Sequence, residues 1–103
     1  MAARRLLKIV DETHEISRRR GNGKLRREIW VDAEGRIVRF NLAFINREIH
    51  SGDNGRVLGY DSQHGVWHRH HLGQVVPVEE TRFDEIEARF QAEIGVYLKG
   101  RQQ

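Results

Sequence analysis

Residues 60–73 of this chain carry four of the six histidines in the sequence. They are His64, His68, His70 and His71. An imidazole has an unperturbed pKa of about 6.5, so it can give or take a proton near neutral pH, and its neutral form is the commonest protein ligand for a metal ion. The density of imidazoles therefore predicts that the chemistry of this protein takes place in this segment.

The spacing of the histidines favours an acid–base pair. If residues 66–72 form a strand, side chains alternate between its two faces, so that His68 and His70 lie on one face and Arg69 on the other. One imidazole could then act as a general base while the other, in its protonated form, acts as a general acid. Cleavage of RNA through its 2′-hydroxyl requires these two groups.

Several neighbouring side chains could assist such a pair. A carboxylate or a phenol could orient an imidazole or contribute a proton, a guanidinium could stabilise charge on phosphorus, and an indole could stack on a base. The candidates are Asp61, Tyr60, His64, Arg69, Arg56 and Trp67. The alternative is structural: histidines on strands are often satisfied by backbone carbonyls, and tryptophans often complete a core.

The same histidines also permit a metal site. His64, His68 and His70 could supply three ligands and leave one position open, with Asp61 as an alternative to His64. The His-x-His spacing is not diagnostic without a third ligand at a recognisable distance. We therefore expect metal-independent chemistry without a cofactor, and keep a histidine-ligated metal-dependent enzyme as the alternative.

Length and composition limit the classes of protein to which the chain can belong. Its 103 residues suffice for one domain with one modest core. It has no cysteine, which excludes disulfides, a thiolate nucleophile and zinc sites built from cysteine. No stretch approaches the roughly 20 apolar residues of a membrane span, and the N-terminus lacks the apolar core of a signal peptide, so we expect no membrane association and a cytoplasmic location.

Charge is unevenly distributed along the chain. There are 15 arginines and 3 lysines, and residues 1–78 carry a net charge of +5 whereas residues 79–103 carry −2. Clustered guanidinium groups bind phosphates through a planar fork, so a basic body suggests a polyanion such as RNA as a partner. The alternative is that GC-rich coding inflates the arginine content and that the charges solvate the surface.

The hydrophobic pattern predicts an α+β fold, in which an antiparallel sheet of four to five strands carries one C-terminal amphipathic helix on one face. The segment before residue 16 fits a strand or a helix, and we favour a strand because the turn signal at 18–24 leads into a clear strand. The predicted strands lie at about 5–16, 24–31, 36–45, 56–61 and 66–72, and the helix at about 82–98, in a single domain of residues 1–103. The alternating residues Val38, Phe40, Leu42 and Phe44 should face the core.

The predicted helix begins with a capping signal. Thr81 is followed three residues later by Asp84, which is a loose capping box with an acidic first turn. Apolar residues then recur at helical spacing up to Tyr97. Gly95 lies within this helix at a tolerable cost of roughly 1 kcal/mol relative to alanine.

The segment from Asn54 to Gly73 resembles a known family. The order Asn54-Gly-Arg-Val-Leu-Gly-Tyr-Asp61, His64-Gly65, His68-Arg-His70 and Gly73, followed by Pro77 and an acidic C-terminal helix, is similar to the TumE family of small bacterial toxins from toxin–antitoxin pairs. The similarity covers nearly the whole chain and is densest over residues 53–73. It implies a toxin that a helix-turn-helix antitoxin holds inactive in a cytoplasmic complex, and for several such toxin families the target is RNA.

Residues and resemblance together predict the toxin of a type II toxin–antitoxin pair, acting as a metal-independent endoribonuclease. His68 and His70 would be the acid–base pair, with His64, Asp61 and Tyr60 orienting substrate or imidazole. The RNA contacts would come from Arg69, Arg56 and Trp67. The expected partners are RNA and the antitoxin, and an exposed edge strand would also suit a homodimer. The alternative from a different class is a noncatalytic RNA-binding or interaction module.

Overall fold

Successive strands of the chain pair with one another in order, so the sheet is an antiparallel meander. The computed structural model describes residues 5–62 and 65–98. Within these ranges the strands are β1 (Leu7–Ile16), β2 (Gly23–Val31), β3 (Ile37–Ile45), β4 (Arg56–Asp61), β5 (His68–His71) and β6 (Gln74–Pro77), and the helix is α1 (Phe83–Ile94). The α+β class, the antiparallel sheet and the C-terminal helix are confirmed.

The described part of the chain has six strands rather than the predicted four or five. The additional strand is β6, which pairs with β5 from His71 opposite Gln74 to His68 opposite Pro77. Leu72 and Gly73 between them have φ of 50° and 86°, as a two-residue hairpin turn of type I′ requires. All of β6 is exposed, so its sequence lacks the apolar–polar alternation that identifies a half-buried strand.

The core lies between one face of the sheet and α1. Phe40, Leu42 and Phe44 of β3 are buried there, as their alternation predicts, whereas Val38 is only half-buried. The helix contributes residues spaced four apart, which lie on one side of a helix with 3.6 residues per turn. The buried members of the cluster are Phe40, Leu42, Phe44, Val57, Leu58, Tyr60, Ile86, Phe90 and Ile94.

The helix is shorter than the sequence predicts. It ends at Ile94 with Gly95 as its C-cap, so the glycine terminates the helix instead of lying within it. Tyr97 still reaches the core, where its ring centroid lies 5.6 Å from that of Phe44. Thr81 is not the cap: the N-cap is Arg82 without a side-chain cap bond, and the Thr81 hydroxyl donates to the carboxylate of Glu85 instead.

The second face of the sheet, which we call the distal face, points away from α1. Its residues occupy alternate positions of neighbouring strands and are mostly polar. They include Arg26, Glu28 and Trp30 of β2, Arg39 and Asn41 of β3, Asp61 of β4, and His68 and His70 of β5. Among the described residues no helix has both the length and the apolar character that crossing a bilayer requires.

Candidate active site

The pairing of β4 with β5 gathers the central candidates on the distal face. Asp61 is opposite His68, and Gly59 is opposite His70. Residues two apart on a strand share a face, so both imidazoles lie on the same side as the carboxylate. The ring centroids of His68 and His70 are 6.4 Å apart. The shared face of the two histidines, which strand alternation predicts, is therefore present.

His70 is the more buried of the two histidines, with 11% of its side chain exposed. Its Nδ1 lies 3.0 Å from Nη2 of Arg56, and because a guanidinium can only donate, Nδ1 must be the acceptor. The proton of the neutral ring is then on Nε2. That nitrogen lies 3.0 Å from Oδ2 of Asp61, but it makes no hydrogen bond within the described residues. The N–H is therefore not directed at the oxygen, and the contact is only electrostatic.

The surroundings of His70 favour its neutral form. Burial, and after it the positive charge of Arg56, lower the pKa of His70 below its usual value, while the carboxylates of Asp61 and Asp53 act in the opposite direction. A neutral imidazole can accept a proton. His70 is therefore in the protonation state of a general base at neutral pH, although its accepting nitrogen is engaged by Arg56.

Arg56 is held in place by two carboxylates. Its Nε and Nη2 contact Asp53 at 2.9 and 3.3 Å, and its Nη1 donates to Oδ2 of Asp61 at 3.3 Å. The side chain lies over Gly59, where an added Cβ would be 2.7 Å from both the Arg56 side chain and the carbonyl oxygen of Leu42. The missing side chain of Gly59 therefore creates the space that the guanidinium occupies.

His68 is the more accessible imidazole, with 29% of its side chain exposed. Its Nδ1 lies 3.8 Å from Oδ1 of Asp61, beyond hydrogen-bond distance. That carboxylate oxygen is buried and has no hydrogen-bond partner among the described residues. A small rotation of either side chain would bring the two into contact, so Asp61 can orient His68.

Two shallow cavities adjoin this cluster on the distal face. The first, of about 270 Å³, is lined by Glu28, Trp30, Arg39, Phe40, Asn41, Arg56 and Asp61. The second, of about 240 Å³, is lined by Arg26, Asn41, Ala43, Ile45, Asp53, Asn54 and Arg56. Both include Asn41 and Arg56. The cluster therefore lies beside a groove large enough for a ligand that extends past Arg56.

Tyr60 and Arg69 lie on the opposite face, against the helix. The Tyr60 hydroxyl donates to Oε1 of Glu93 at 2.6 Å, and Nη2 of Arg69 donates to Oε2 of the same carboxylate at 2.9 Å. Burial, and after it the hydrogen bond to Glu93, raise the pKa of Tyr60, which keeps the phenol protonated. The structure thus separates these two predicted site residues from His68 and His70 by the thickness of the sheet.

The two tryptophans also lie on different faces. Trp67 packs edge-on against Phe40, with ring centroids 5.1 Å apart and an interplanar angle of 87°, and is partly buried against the core. Trp30 lies on the distal face and lines the first cavity. The alternation of β2, in which Trp30 is out of phase with the apolar Ile29, is the sequence signal for this position.

The predicted third imidazole, His64, falls outside the described residues. Among the residues that are described, no group of three or more metal-binding side chains has the geometry to hold an ion. Between Arg56 and Asp61, the hydrogen bond from Arg56 to His70 places the ring proton of His70 on Nε2, the nitrogen that faces Asp61. A protonated nitrogen has no lone pair for a metal ion.

Three residues of the site were not predicted from the sequence. Asp53 holds Arg56, and it comes from the turn at 51–55, in which Asp53 and Asn54 both have positive φ. Asn41 and Glu28 are opposite each other on β3 and β2 and line the first cavity. Asp53 is only three residues before Arg56, but it lies in a turn, where no apolar–polar alternation indicates which way a side chain points.

Comparison with known proteins gives no functional assignment for this cluster of residues. The chain matches no protein-family model, no curated protein and no solved structure. The likeness of residues 53–73 to the TumE toxins therefore stays a prediction from the sequence, and the arrangement on the distal face carries the functional interpretation.

Proposed function

We propose that this protein is an endoribonuclease toxin, which cleaves RNA with the His68–His70 pair, needs no metal, and is neutralised in the cytoplasm by a helix-turn-helix antitoxin. The observation that carries this proposal is the placement of two imidazoles on one face, 6.4 Å apart between ring centroids, with a guanidinium 3.0 Å from one of them. The toxin role and the antitoxin rest on the resemblance of residues 53–73 to the TumE family.

In this mechanism His70 is the general base. It is neutral because its pKa is lowered, but Nδ1 must first be released by Arg56. A bound phosphate provides the cause, since a guanidinium forms stronger hydrogen bonds with an anionic phosphate than with a neutral imidazole. Arg56 would turn from Nδ1 to the phosphate, so substrate binding itself would free the base.

The chemical step is a transphosphorylation. His70 takes the proton of the 2′-hydroxyl, the 2′-oxygen bonds to phosphorus, and the bond from phosphorus to the 5′-oxygen breaks. Protonated His68 gives its proton to that leaving oxygen, and Arg56 stabilises the negative charge on the non-bridging oxygens. The products are a 2′,3′-cyclic phosphate and a free 5′-hydroxyl.

Asp61 has a positioning role in this proposal. Its Oδ1 faces His68 and its Oδ2 faces His70, so one carboxylate orients both rings. Tyr60 and Arg69 act through α1 by holding β4 and β5 against the helix. This arrangement leaves RNA contact to residues of the distal face.

The antitoxin would have an exposed edge strand available. Within residues 5–62 and 65–98, β1 pairs with β2 on one side only, and nearly all of its residues are exposed, including Leu7 and Ile9 at 66% and 53%. An edge strand with apolar side chains is a natural site for strand addition by another chain. The same edge would suit a second copy of this protein.

The proposal is tested by incubating the purified protein with a single-stranded RNA in the presence and absence of EDTA. We expect cleavage in both conditions, with products that end in a 2′,3′-cyclic phosphate. His68→Ala and His70→Asn should each reduce the rate about 100-fold or more, whereas His14→Ala, on exposed β1, should not. Cleavage lost in EDTA would indicate the metal-dependent alternative, and full activity in both site variants would exclude the pair.

A noncatalytic RNA-binding module is the second candidate. The observation that favours it is that the accepting nitrogen of His70 is already engaged by Arg56. Such a module would bind RNA without forming product, and its affinity would fall steeply with salt because each neutralised phosphate releases counterions. Intact RNA together with salt-sensitive binding would therefore move the assignment to this candidate.

A further inference from the structure

Two residues that line the first cavity on the distal face, Trp30 and Arg39, form a cation–π pair, to which Lys8 adds a second cation from outside the lining. The guanidinium carbon of Arg39 lies 4.5 Å from the centroid of the Trp30 ring, and Nζ of Lys8 lies 5.0 Å from it. Arg39 is exposed and has no carboxylate partner among the described residues. Arginine and tryptophan planes are the groups on which proteins stack nucleobases.

The neighbouring wall offers hydrogen-bonding groups in the same cavity. Nδ2 of Asn41 donates one bond to Oε1 of Glu28 at 2.9 Å, and Oε2 of Glu28 is engaged by Lys8 at 2.7 Å. In the side chain of Asn41, the second proton of Nδ2 and the oxygen Oδ1 make no hydrogen bond within the described residues. A carboxamide with a donor and an acceptor available can read the edge of a base.

We propose that this cavity binds one nucleobase of a single-stranded nucleic acid, stacked on the Arg39–Trp30 pair and read by Asn41. The inference rests on the proposed function, because it places the base beside the phosphate that Arg56 would bind. Asn41 and Arg56 also line the second cavity, which gives the strand a continuous path to the next nucleotide.

Size and charge favour a nucleobase over other occupants. At about 270 Å³ the cavity is slightly smaller than the roughly 300–1,000 Å³ typical of sites for drug-sized ligands. Its walls contain the carboxylates of Glu28 and Asp61, which would repel an acidic peptide. A base carries no net charge, and the adjoining phosphate of the strand would lie at Arg56 rather than at the carboxylates.

The two tryptophans allow a direct test of the stacking position. They are the only tryptophans in the chain, so Trp67→Phe leaves Trp30 as the sole indole and Trp30→Phe leaves Trp67. The probe is a short single strand of mixed sequence with 2′-O-methyl groups, which removes the nucleophile and prevents cleavage. We expect the strand to change the emission of the Trp67→Phe variant and to leave that of the Trp30→Phe variant unchanged.

Affinity provides the second measurement. Stacking contributes about 1–3 kcal/mol per base, so Trp30→Ala should weaken binding of the same strand about 5- to 150-fold, while Trp30→Phe should stay within a few-fold of wild type. Arg39→Ala should weaken binding more than Arg36→Ala, its control near the start of β3, which is exposed and paired with Asp32. Thermal melts of each variant verify that it is folded.

The outcomes separate this inference from the proposed function. Unchanged affinity in folded Trp30→Ala and Arg39→Ala, or an emission change that follows Trp67, would overturn the cavity as a base site even if the protein cleaves RNA. Failure of the wild type to bind any strand would overturn it as well. Stacking on Trp30 without cleavage of unmodified RNA would support the cavity and contradict the nuclease.

Discussion

Arg56 donates a hydrogen bond to Nδ1 of His70 over 3.0 Å, so the residue proposed to stabilise charge on phosphorus also occupies the nitrogen proposed to accept the proton. The same guanidinium contacts Asp61 at 3.3 Å and lowers the pKa of His70 together with burial. The two residues are therefore electrostatically coupled. Any change at one should be measurable at the other.

Replacing Arg56 should change the titration of His70. Arg56→Met removes a positive charge that lowers the pKa of His70, so this pKa should rise, while the carboxylates of Asp53 and Asp61 lose their partner. Histidine ring signals followed by NMR across pH 5–8 would measure the shift. Arg36→Met, at an exposed position, is the matched control. A His70 pKa that stays at its wild-type value would contradict the contact with Arg56.

The loss of Arg56 should also affect cleavage. If its guanidinium stabilises the transition state, Arg56→Met should lower kcat by roughly 100- to 1,000-fold. Arg56→Lys keeps the charge but loses the planar fork, so its activity should fall between that of Arg56→Met and that of the wild type. Equal activity in the lysine variant and the wild type would show that only the charge is needed.

The stability of the protein should fall as the pH is lowered through the range in which His70 titrates. Its pKa is lowered in the folded state, so below about pH 6.5 the unfolded chain binds a proton that the folded chain does not, and protonation favours unfolding. Chemical denaturation at pH 7.5 and pH 5.5 should show a loss that is smaller in His70→Asn. An identical loss of stability in the wild type and in His70→Asn would show that His70 does not cause the pH dependence.

Gly59→Ala should disturb both the fold and the site. The added methyl would lie 2.7 Å from the Leu42 carbonyl oxygen and from the Arg56 side chain, and overpacking of this kind typically costs about 1–3 kcal/mol. Urea denaturation would measure this cost against Ser51→Ala, at an exposed loop position. A variant of unchanged stability that also keeps full activity would show that Arg56 does not need the space above Gly59.

Tyr60→Phe should reduce stability without reducing the rate of RNA cleavage. It removes the 2.6 Å hydrogen bond to Glu93, and a hydrogen bond to a charged group contributes about 1.5–3 kcal/mol, with less expected here because Glu93 is also paired with Arg69. Thermal melts and cleavage assays would separate the two effects. A folded Tyr60→Phe that loses cleavage would place the phenol in the mechanism, as the sequence predicted.

The fold could be predicted where a strand or helix has one buried face, because its apolar residues then recur at a regular spacing. Phe40, Leu42 and Phe44 alternate because one face of β3 is buried, and the apolar residues of α1 recur at helical spacing for the same reason. β6 has no buried face, so its apolar residues show no such spacing. Gly95 lies at the end of the helix. A glycine is also tolerated within a helix at a modest cost in stability, so its presence did not predict where the helix ends.

The site was predictable only along single strands. Alternation along β5 placed His68 and His70 together and separated Arg69 from them, but the contact between Arg69 and Glu93 depends on how α1 crosses the sheet. The proximity of Trp30 to Arg39 depends on the pairing of β2 with β3, and that of Asp53 to Arg56 depends on the positive-φ conformation of the turn between them. No periodicity within one strand records those neighbours.

β5 is only four residues long, yet it serves both sides of the protein. His68 and His70 belong to the distal face, whereas Arg69 and His71 contact Glu93 and Tyr97 on the helix side. A shift of one residue in its pairing with β4 would turn every side chain to the other face. Insertion or deletion of a single residue in this strand should therefore abolish the proton-transfer pair and the docking of the helix in one step, so selection for activity and selection for folding act on the same register.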